Sequence, residues 1–141
     1  MKISNPVDLI IIRNNKILLA KRSEDELGYK NTWSIPGGGP EIDEEIEEAL
    51  HREIQEELGC KIKKHTYFRS YHMKLAEDFI ARAFYFYGDI EGEIKLNDEL
   101  SEFRWFDIDD PNILELDFAF NQKDVIKDFI EFWKNISRSN T

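Results

Sequence analysis

A single cysteine, Cys60, stands in 141 residues, so no internal disulfide can form, and a reducing cytoplasm is the natural compartment. Long hydrophobic runs are missing as well. No stretch approaches the roughly 20 apolar residues of a membrane span, and the run 9–12 is too short for the core of a signal peptide and is followed by Arg13. Positive charge is scarce: 19 basic residues face 29 acidic ones, for a formal charge of −10. That balance repels a nucleic-acid backbone and argues against nucleic acid as partner. An anionic small molecule would meet the same repulsion unless divalent cations reverse the field locally, which makes metal-dependent chemistry the first thing to seek.

With 41% hydrophobic residues, the chain can bury a core without disulfides or structural metal, and one domain over residues 1–141 is expected. Two aliphatic runs, 7–13 and 16–21, flank Asn14-Asn15, a pair tolerant of the positive φ that a two-residue hairpin turn needs. Residues 27–31 read as loop and 33–35 as a short strand, and the Pro36-Gly37-Gly38-Gly39-Pro40 segment as neither helix nor regular strand. From Glu44 or Glu45 to Leu58, Ile46, Leu50, Ile54 and Leu58 recur every fourth position, giving a helix with one apolar stripe that Gly59 stops. Strands are expected over 62–72, 79–87 and 103–106. A last helix capped by Asn121 carries Val125, Ile126, Phe129, Ile130, Trp133 and Ile136 on one side, and residues 137–141 read as a frayed end. Strands on both sides of a central helix imply a mixed sheet covered by helices.

Glu53, Glu56 and Glu57 fall within an arc of about 100° on the central helix, beside its apolar stripe. Like charges at these spacings repel and raise one another's pKa. Mg2+, which accepts a few carboxylates and keeps places for water and phosphate oxygens, would remove that cost. Arg52 lies one turn before Glu56 and is placed to orient the cluster. A solvated acidic helix face is the plain alternative. Gly37, Gly38 and Gly39 weigh against it, because they let backbone approach a ligand and lead into this helix.

These residues resemble the Nudix hydrolase signature. The family pattern is a glycine, five residues, a glutamate, seven residues, then Arg-Glu-aliphatic-any-Glu-Glu-any-Gly-aliphatic. Gly38, Glu44, Arg52, Glu53, Ile54, Glu56, Glu57 and Gly59 fit it, and only Cys60 departs, where a buried thiol can act as a small hydrophobe. Coincidence in a glutamate-rich stretch has odds on the order of one in 10^6. Trp33 to Gly38 resembles the family's entry to the motif, and Glu102 to Phe106 resembles a late strand of many members. Asp43 stands where the family usually has glycine, and a helix cap is its expected role.

The resemblance implies an α/β Nudix fold, a mixed curved β-sheet sandwiched between α-helices in an α/β/α sandwich. It implies a pyrophosphohydrolase that cleaves the diphosphate bond of a nucleoside diphosphate linked to another moiety, with Mg2+ or alternatively Mn2+. Carried over by position, Glu53, Glu56, Glu57 and the Gly38 carbonyl would bind metal, Arg52 would orient Glu56 or its neighbours, and Glu44 would support the loop and the helix start. The general base would be Glu53 or a carboxylate outside the motif; Glu99 is preferred over Asp98, Glu102 and Glu41. A nucleoside triphosphate is the leading substrate, ADP-ribose or another nucleotide sugar the next, and a non-catalytic nucleotide-sensing module the reading from a different class. For the substrate, Trp33, Tyr29, Phe118 and Asn121 are candidate contacts, with Tyr85 and Phe120 as further aromatics, although aromatics are more often core. His51, His65 and His72 lack zinc-type spacing. The chain is expected to be a monomer or homodimer without membrane attachment.

Overall fold

A computed structural model describes residues 1–23 and 28–139. Among the described residues eight strands form one mixed sheet: β1 (Lys2–Ser4), β2 (Val7–Arg13), β3 (Lys16–Arg22), β4 (Trp33–Ser34), β5 (Gly37–Gly38), β6 (Lys61–Ala76), β7 (Phe79–Glu91) and β8 (Leu100–Asp107). Helix α1 (Ile46–Leu58) lies in the middle of the sequence and α2 (Gln122–Ser139) at its end, after a short 3-10 turn at Pro111–Glu115. Asn14 and Asn15 take φ of 52° and 61°, which joins β2 to β3 as the sequence implied.

β2 and β3 pair only near this turn, from Ile11↔Leu18 to Arg13↔Lys16. Farther along they part. The start of β2 pairs antiparallel with β5, Val7↔Gly38 and Asp8↔Gly37, while the end of β3 pairs with β4. The glycine segment thus enters a gap between two central strands. The expectation that it forms no strand is corrected for Gly37 and Gly38, whose missing side chains allow β2 to approach. β7 is the long central strand: β1 and β2 run parallel along one edge of it and β6 antiparallel along the other. β6 and β7 both extend beyond the 62–72 and 79–87 limits: exposed and half-buried residues continue the ladder of β6 past its apolar run, and buried Gly88 and Ile90 carry β7 onward.

Alternation along β2 splits the core in two. Leu9 and Ile11 pack with Leu50, Ile54 and Leu58 of α1, while Ile10 and Ile12 pack with Val125, Ile126 and Phe129 of α2. This is the α/β/α sandwich. The first turn of α1 begins one residue later than expected, and Glu45, not Asp43, is its N-cap, exchanging side-chain and backbone bonds with Glu48 in a capping box. α2 remains helical to Ser139, so the expected fraying from 137 does not occur there; half-buried Ile136 prolongs its apolar side and Arg138 suits its C-terminal end. Residues 140–141 of that expected tail, and Leu27 of the expected loop, lie outside the described residues. Among the described residues no helix is long and apolar enough to cross a membrane.

Because Ile54 is fully buried in the α1 core, Ile54→Val is expected to cost about 0.5–1.5 kcal/mol. Urea unfolding should show a lower midpoint with an unchanged slope, as for a core defect in an intact fold.

Candidate active site

Each glycine of β5 is required by close approach. A Cβ on Gly37, whose φ is +153°, would lie 2.0 Å from Asp8 Oδ1 and 2.2 Å from the Val7 carbonyl oxygen. One on Gly38 would fall 2.5 Å from the Glu53 carboxyl carbon. Carboxylates therefore lie directly over the glycine backbone from both sides. Glu57 approaches from α1 as well, its Oε1 accepting the Gly37 amide at 2.9 Å.

Arg52 organises the neighbouring carboxylates. Its Nε and Nη2 donate to the two oxygens of Glu44 at 2.7 and 2.9 Å, Nη1 donates to Glu53 at 2.9 Å and Glu56 at 3.1 Å, and Nη2 also reaches the Gly39 carbonyl at 2.9 Å. The guanidinium holds the Glu44 carboxyl below its ordinary pKa, and these carboxylates in turn push the arginine higher. Burial raises the Glu53 carboxyl, with Arg52 opposing and the charges of Glu56 and Glu99 adding. Glu57 is 7% exposed; burial drives it well above the carboxylate range, the Gly37 amide opposes, and Glu53, Asp8 and Glu99 push it further. Among the described residues no three carboxylate, histidine or cysteine side chains converge on a ready-made metal cage, since Arg52 draws Glu53 and Glu56 and the Gly37 amide draws Glu57. The donors are nonetheless hard oxygens whose burial and mutual repulsion a divalent cation would relieve, so the set fits such an ion.

A cavity of about 500 Å3 opens beside these groups. Gly38, Glu53, Glu56 and Glu57 line one part of it together with Glu99, the carboxylate preferred outside the motif. Glu102 instead pairs with Lys21 and Arg104. Asp98 is not in the lining, and its carbonyl accepts the Ser23 hydroxyl. Glu41 is an exposed neighbour 3.9 Å from Arg52. An apolar wall of Met73, Leu75, Phe79, Ala81 and Ala83 comes from β6 and β7.

The candidate substrate contacts separate clearly. Trp33 and Phe118 are core residues outside the lining, 6% and 8% exposed, joined to each other by an isolated bridge. Trp33 meets Phe106 edge-on and has the Lys21 and Arg104 cations against its ring. The large apolar areas of both rings are used up in packing, and this corrects their expected place in the pocket. Tyr29 is not in the lining either, but its ring lies 4.3 Å from Phe120, which is. Phe120 holds φ at +54°, costly for an aromatic residue, and the Arg22 guanidinium sits over its ring at 5.5 Å. Asn121 lines the cavity and precedes α2, its carbonyl accepting the Asp124 amide at 3.1 Å.

Among the polar cavity residues that sequence reasoning did not single out are Asp8, Arg22 and Gln122. Asp8 is 6% exposed, and burial raises its pKa well above the ordinary range despite the Arg22 charge. A lone acid inside the aliphatic run of β2 was the available signal. Of the histidines, His65 contacts Glu47 and the His51 ring, and His72 accepts from Arg82. Cys60 is buried among the aliphatic residues of the α1 core.

A model of the NUDIX domain matches residues 4–129. The chain belongs to the NUDIX family. An ADP-ribose pyrophosphatase of Methanocaldococcus jannaschii is 36% identical to this NUDIX chain over 92% of it and 73% of the relative. A nucleoside triphosphatase NudI of Escherichia fergusonii is 34% identical over 68% of this chain and 76% of its own. The solution structure of the E. coli ORF135 protein superposes with a TM-score of 0.80 at 27% identity, covering 93% and 91% of the two chains. The chain is thus a NUDIX hydrolase acting on acid anhydrides of nucleotides, in a family that generally requires a divalent metal.

Proposed function

We propose that this chain, as one domain over residues 1–141, uses Mg2+, or Mn2+ in its place, to hydrolyse a nucleoside diphosphate linked to a sugar, releasing two monophosphates. Supporting this most directly is the seating of Glu53, Glu56, Glu57 and the Gly38 backbone together in the wall of one cavity with Glu99. Glu53, Glu56, Glu57 and the Gly38 carbonyl would hold the ion. When bound, it would shield phosphate charge and lower the pKa of a coordinated water. Arg52, anchored on Glu44 and the Gly39 carbonyl, holds Glu53 and Glu56 in place at the cavity wall, where they would meet the ion. Glu99, outside the Arg52 network and in the cavity wall, takes the proton of the attacking water as general base. Attack on phosphorus breaks the bridging P–O bond, and the leaving phosphate departs with that oxygen.

Charge favours a nucleotide sugar over a triphosphate. Asp8, Glu53, Glu56, Glu57 and Glu99 line the cavity against one cationic side chain, Arg22, among the described residues, so the less highly charged diphosphate is easier to neutralise. The M. jannaschii relative, similar over most of the chain, carries the ADP-ribose name. The NudI relatives favour a nucleoside triphosphate, cleaved to monophosphate and pyrophosphate, as the second reading.

The purified protein should be incubated with ADP-ribose, other nucleotide sugars, dinucleoside polyphosphates and nucleoside triphosphates, in Mg2+, Mn2+ or chelator, and the products weighed by mass spectrometry. The expected result is AMP and ribose phosphate from ADP-ribose, abolished by chelator, at a higher kcat/KM than any triphosphate gives. A triphosphate with the higher kcat/KM would establish the second reading. No turnover on any substrate by folded, metal-supplied protein would leave a nucleotide-sensing module.

A further inference from the structure

Gln122, the first residue of α2, is 4% exposed, yet its side chain meets β2, β7 and the segment between β4 and β5. Oε1 accepts the Ile35 amide at 2.8 Å. Nε2 donates to the Tyr85 hydroxyl at 3.3 Å and to Asp8 Oδ2 at 3.5 Å. The other Asp8 oxygen, Oδ1, is the atom packed over the Gly37 Cα, so close that no Cβ fits between. One unit therefore runs from the start of α2 to the backbone on both sides of Pro36, by a hydrogen bond at Ile35 and, through hydrogen-bonded Asp8, by close packing at Gly37. Beyond it lie the Gly37 amide on Glu57 and the Gly38 backbone under Glu53.

The surrounding backbone gives this unit leverage. The Pro36 carbonyl accepts the Leu9 amide at 2.9 Å and the Trp33 carbonyl accepts the Ala119 amide at 2.9 Å. Gly37 and Gly38 form only two residue pairs with β2, a short attachment for a segment that must hold a carbonyl and an amide in fixed directions. Buried amide side chains with several partners are effective at such fixing, because moving one group leaves the others unsatisfied. Gln122 also lines the cavity, as do Asp8 and Tyr85.

We propose that Gln122 is a positioning residue for hydrolysis: through the Ile35 amide and Asp8 it fixes the Gly37–Gly38 backbone against Glu57 and Glu53, holding the α2 wall of the cavity and the carboxylate site in one register. The effect on turnover rests on the hydrolase reading above; the effect on the backbone does not. Small displacements of such a supporting contact cost turnover more than binding, since alignment matters most in the transition state.

The test compares Gln122→Met, which keeps length and removes all three hydrogen bonds, with Ile126→Val, a core change in α2 away from the cavity. Gln122→Met is expected to lower kcat about 10- to 100-fold, the usual effect of losing a supporting contact, with KM changed less than about threefold. In metal-free protein it should also speed hydrogen exchange at the Gly37 and Gly38 amides, read by NMR. Tyr85→Phe, which removes one partner and keeps the ring, should move both readouts in the same direction by less. Ile126→Val should lower Tm while leaving kcat and glycine exchange at parental values. Gln122→Met with parental glycine exchange would overturn the proposal, as would a raised KM at unchanged kcat, which would make Gln122 a substrate contact. Turnover absent from the parent but glycine exchange altered in Gln122→Met would instead sink the hydrolase reading and leave the positioning of the backbone standing.

Discussion

Glu57→Gln is expected to lower turnover on the order of 10^2- to 10^3-fold, the scale of losing one preorganised electrostatic contact to the transition state, while the protein stays folded. The substitution isolates charge from shape. A glutamine keeps an oxygen where Glu57 Oε1 accepts the Gly37 amide, so the glycine backbone need not move. The charge it removes is one that burial already disfavours and that Glu53 and Asp8 repel. Metal-free Glu57→Gln should consequently be as stable as the parent or more so, a combination typical of sites that trade stability for function. Steady-state kinetics and urea unfolding on the same preparations decide the matter, with Glu47→Gln on the exposed side of α1 as a control expected to retain activity. Activity within a few-fold of the parent would remove Glu57 from the metal site. A large loss of stability would make its carboxylate structural.

In chelator, thermal stability should fall as pH rises from about 4.5 to 8, starting from the ordinary carboxylate values. Asp8, Glu53 and Glu57 all have carboxyls raised by folding. The folded state therefore holds more protons than the unfolded chain between the ordinary and the raised pKa, and stability declines with pH through that window. Glu44 and Asp89 are shifted the other way; their contribution is present above the ordinary range and is lost in acid, below about pH 4. The two groups together place the stability maximum of the metal-free protein on the acidic side of neutrality. Mg2+ at 100 times its Kd would add about 2.7 kcal/mol at neutral pH, or roughly 8 °C in Tm for a domain of this size. Scans from pH 4.5 to 8.5, in chelator and in Mg2+, measure both. A Tm that climbs toward pH 8 in chelator, or one indifferent to Mg2+ at pH 8, contradicts the account.

The parts of this architecture written in local pattern could be read directly from the chain. Asn14-Asn15 between two aliphatic runs specified a hairpin because few other pairs accept two positive φ values. The fourfold spacing of Ile46, Leu50, Ile54 and Leu58 specified α1, and all but Ile46 are fully buried. Glu53, Glu56 and Glu57 were legible for the same reason, being on one helix. Asp8 and Gln122 were not: they are 114 positions apart and acquire meaning only when β2 and α2 meet. Trp33 was misplaced because a tryptophan that stacks on a base and one packed against Phe106 look alike until the ring's neighbours are known. The cap at Glu45 was missed because the carboxylate of a capping box is hard to tell apart in a run of acids.

The order in which β-strands become partners bears on how the chain folds as it is made. β2 leaves the ribosome before its parallel partner, which lies at residues 84–88, so one edge of it must wait for more than seventy further residues. The β2–β3 hairpin and α1 form from neighbours in sequence; the sheet that joins them to β7 does not, and such distant pairing is the slow part of β-rich folding. At about 5–20 residues per second, the delay amounts to several seconds in which the aliphatic faces of β2 have only a hairpin and a helix to shelter them. Gln122 arrives later still, so the acidic helix exists well before the backbone it must face is pinned: a nascent chain acquires its carboxylates first and their geometry last.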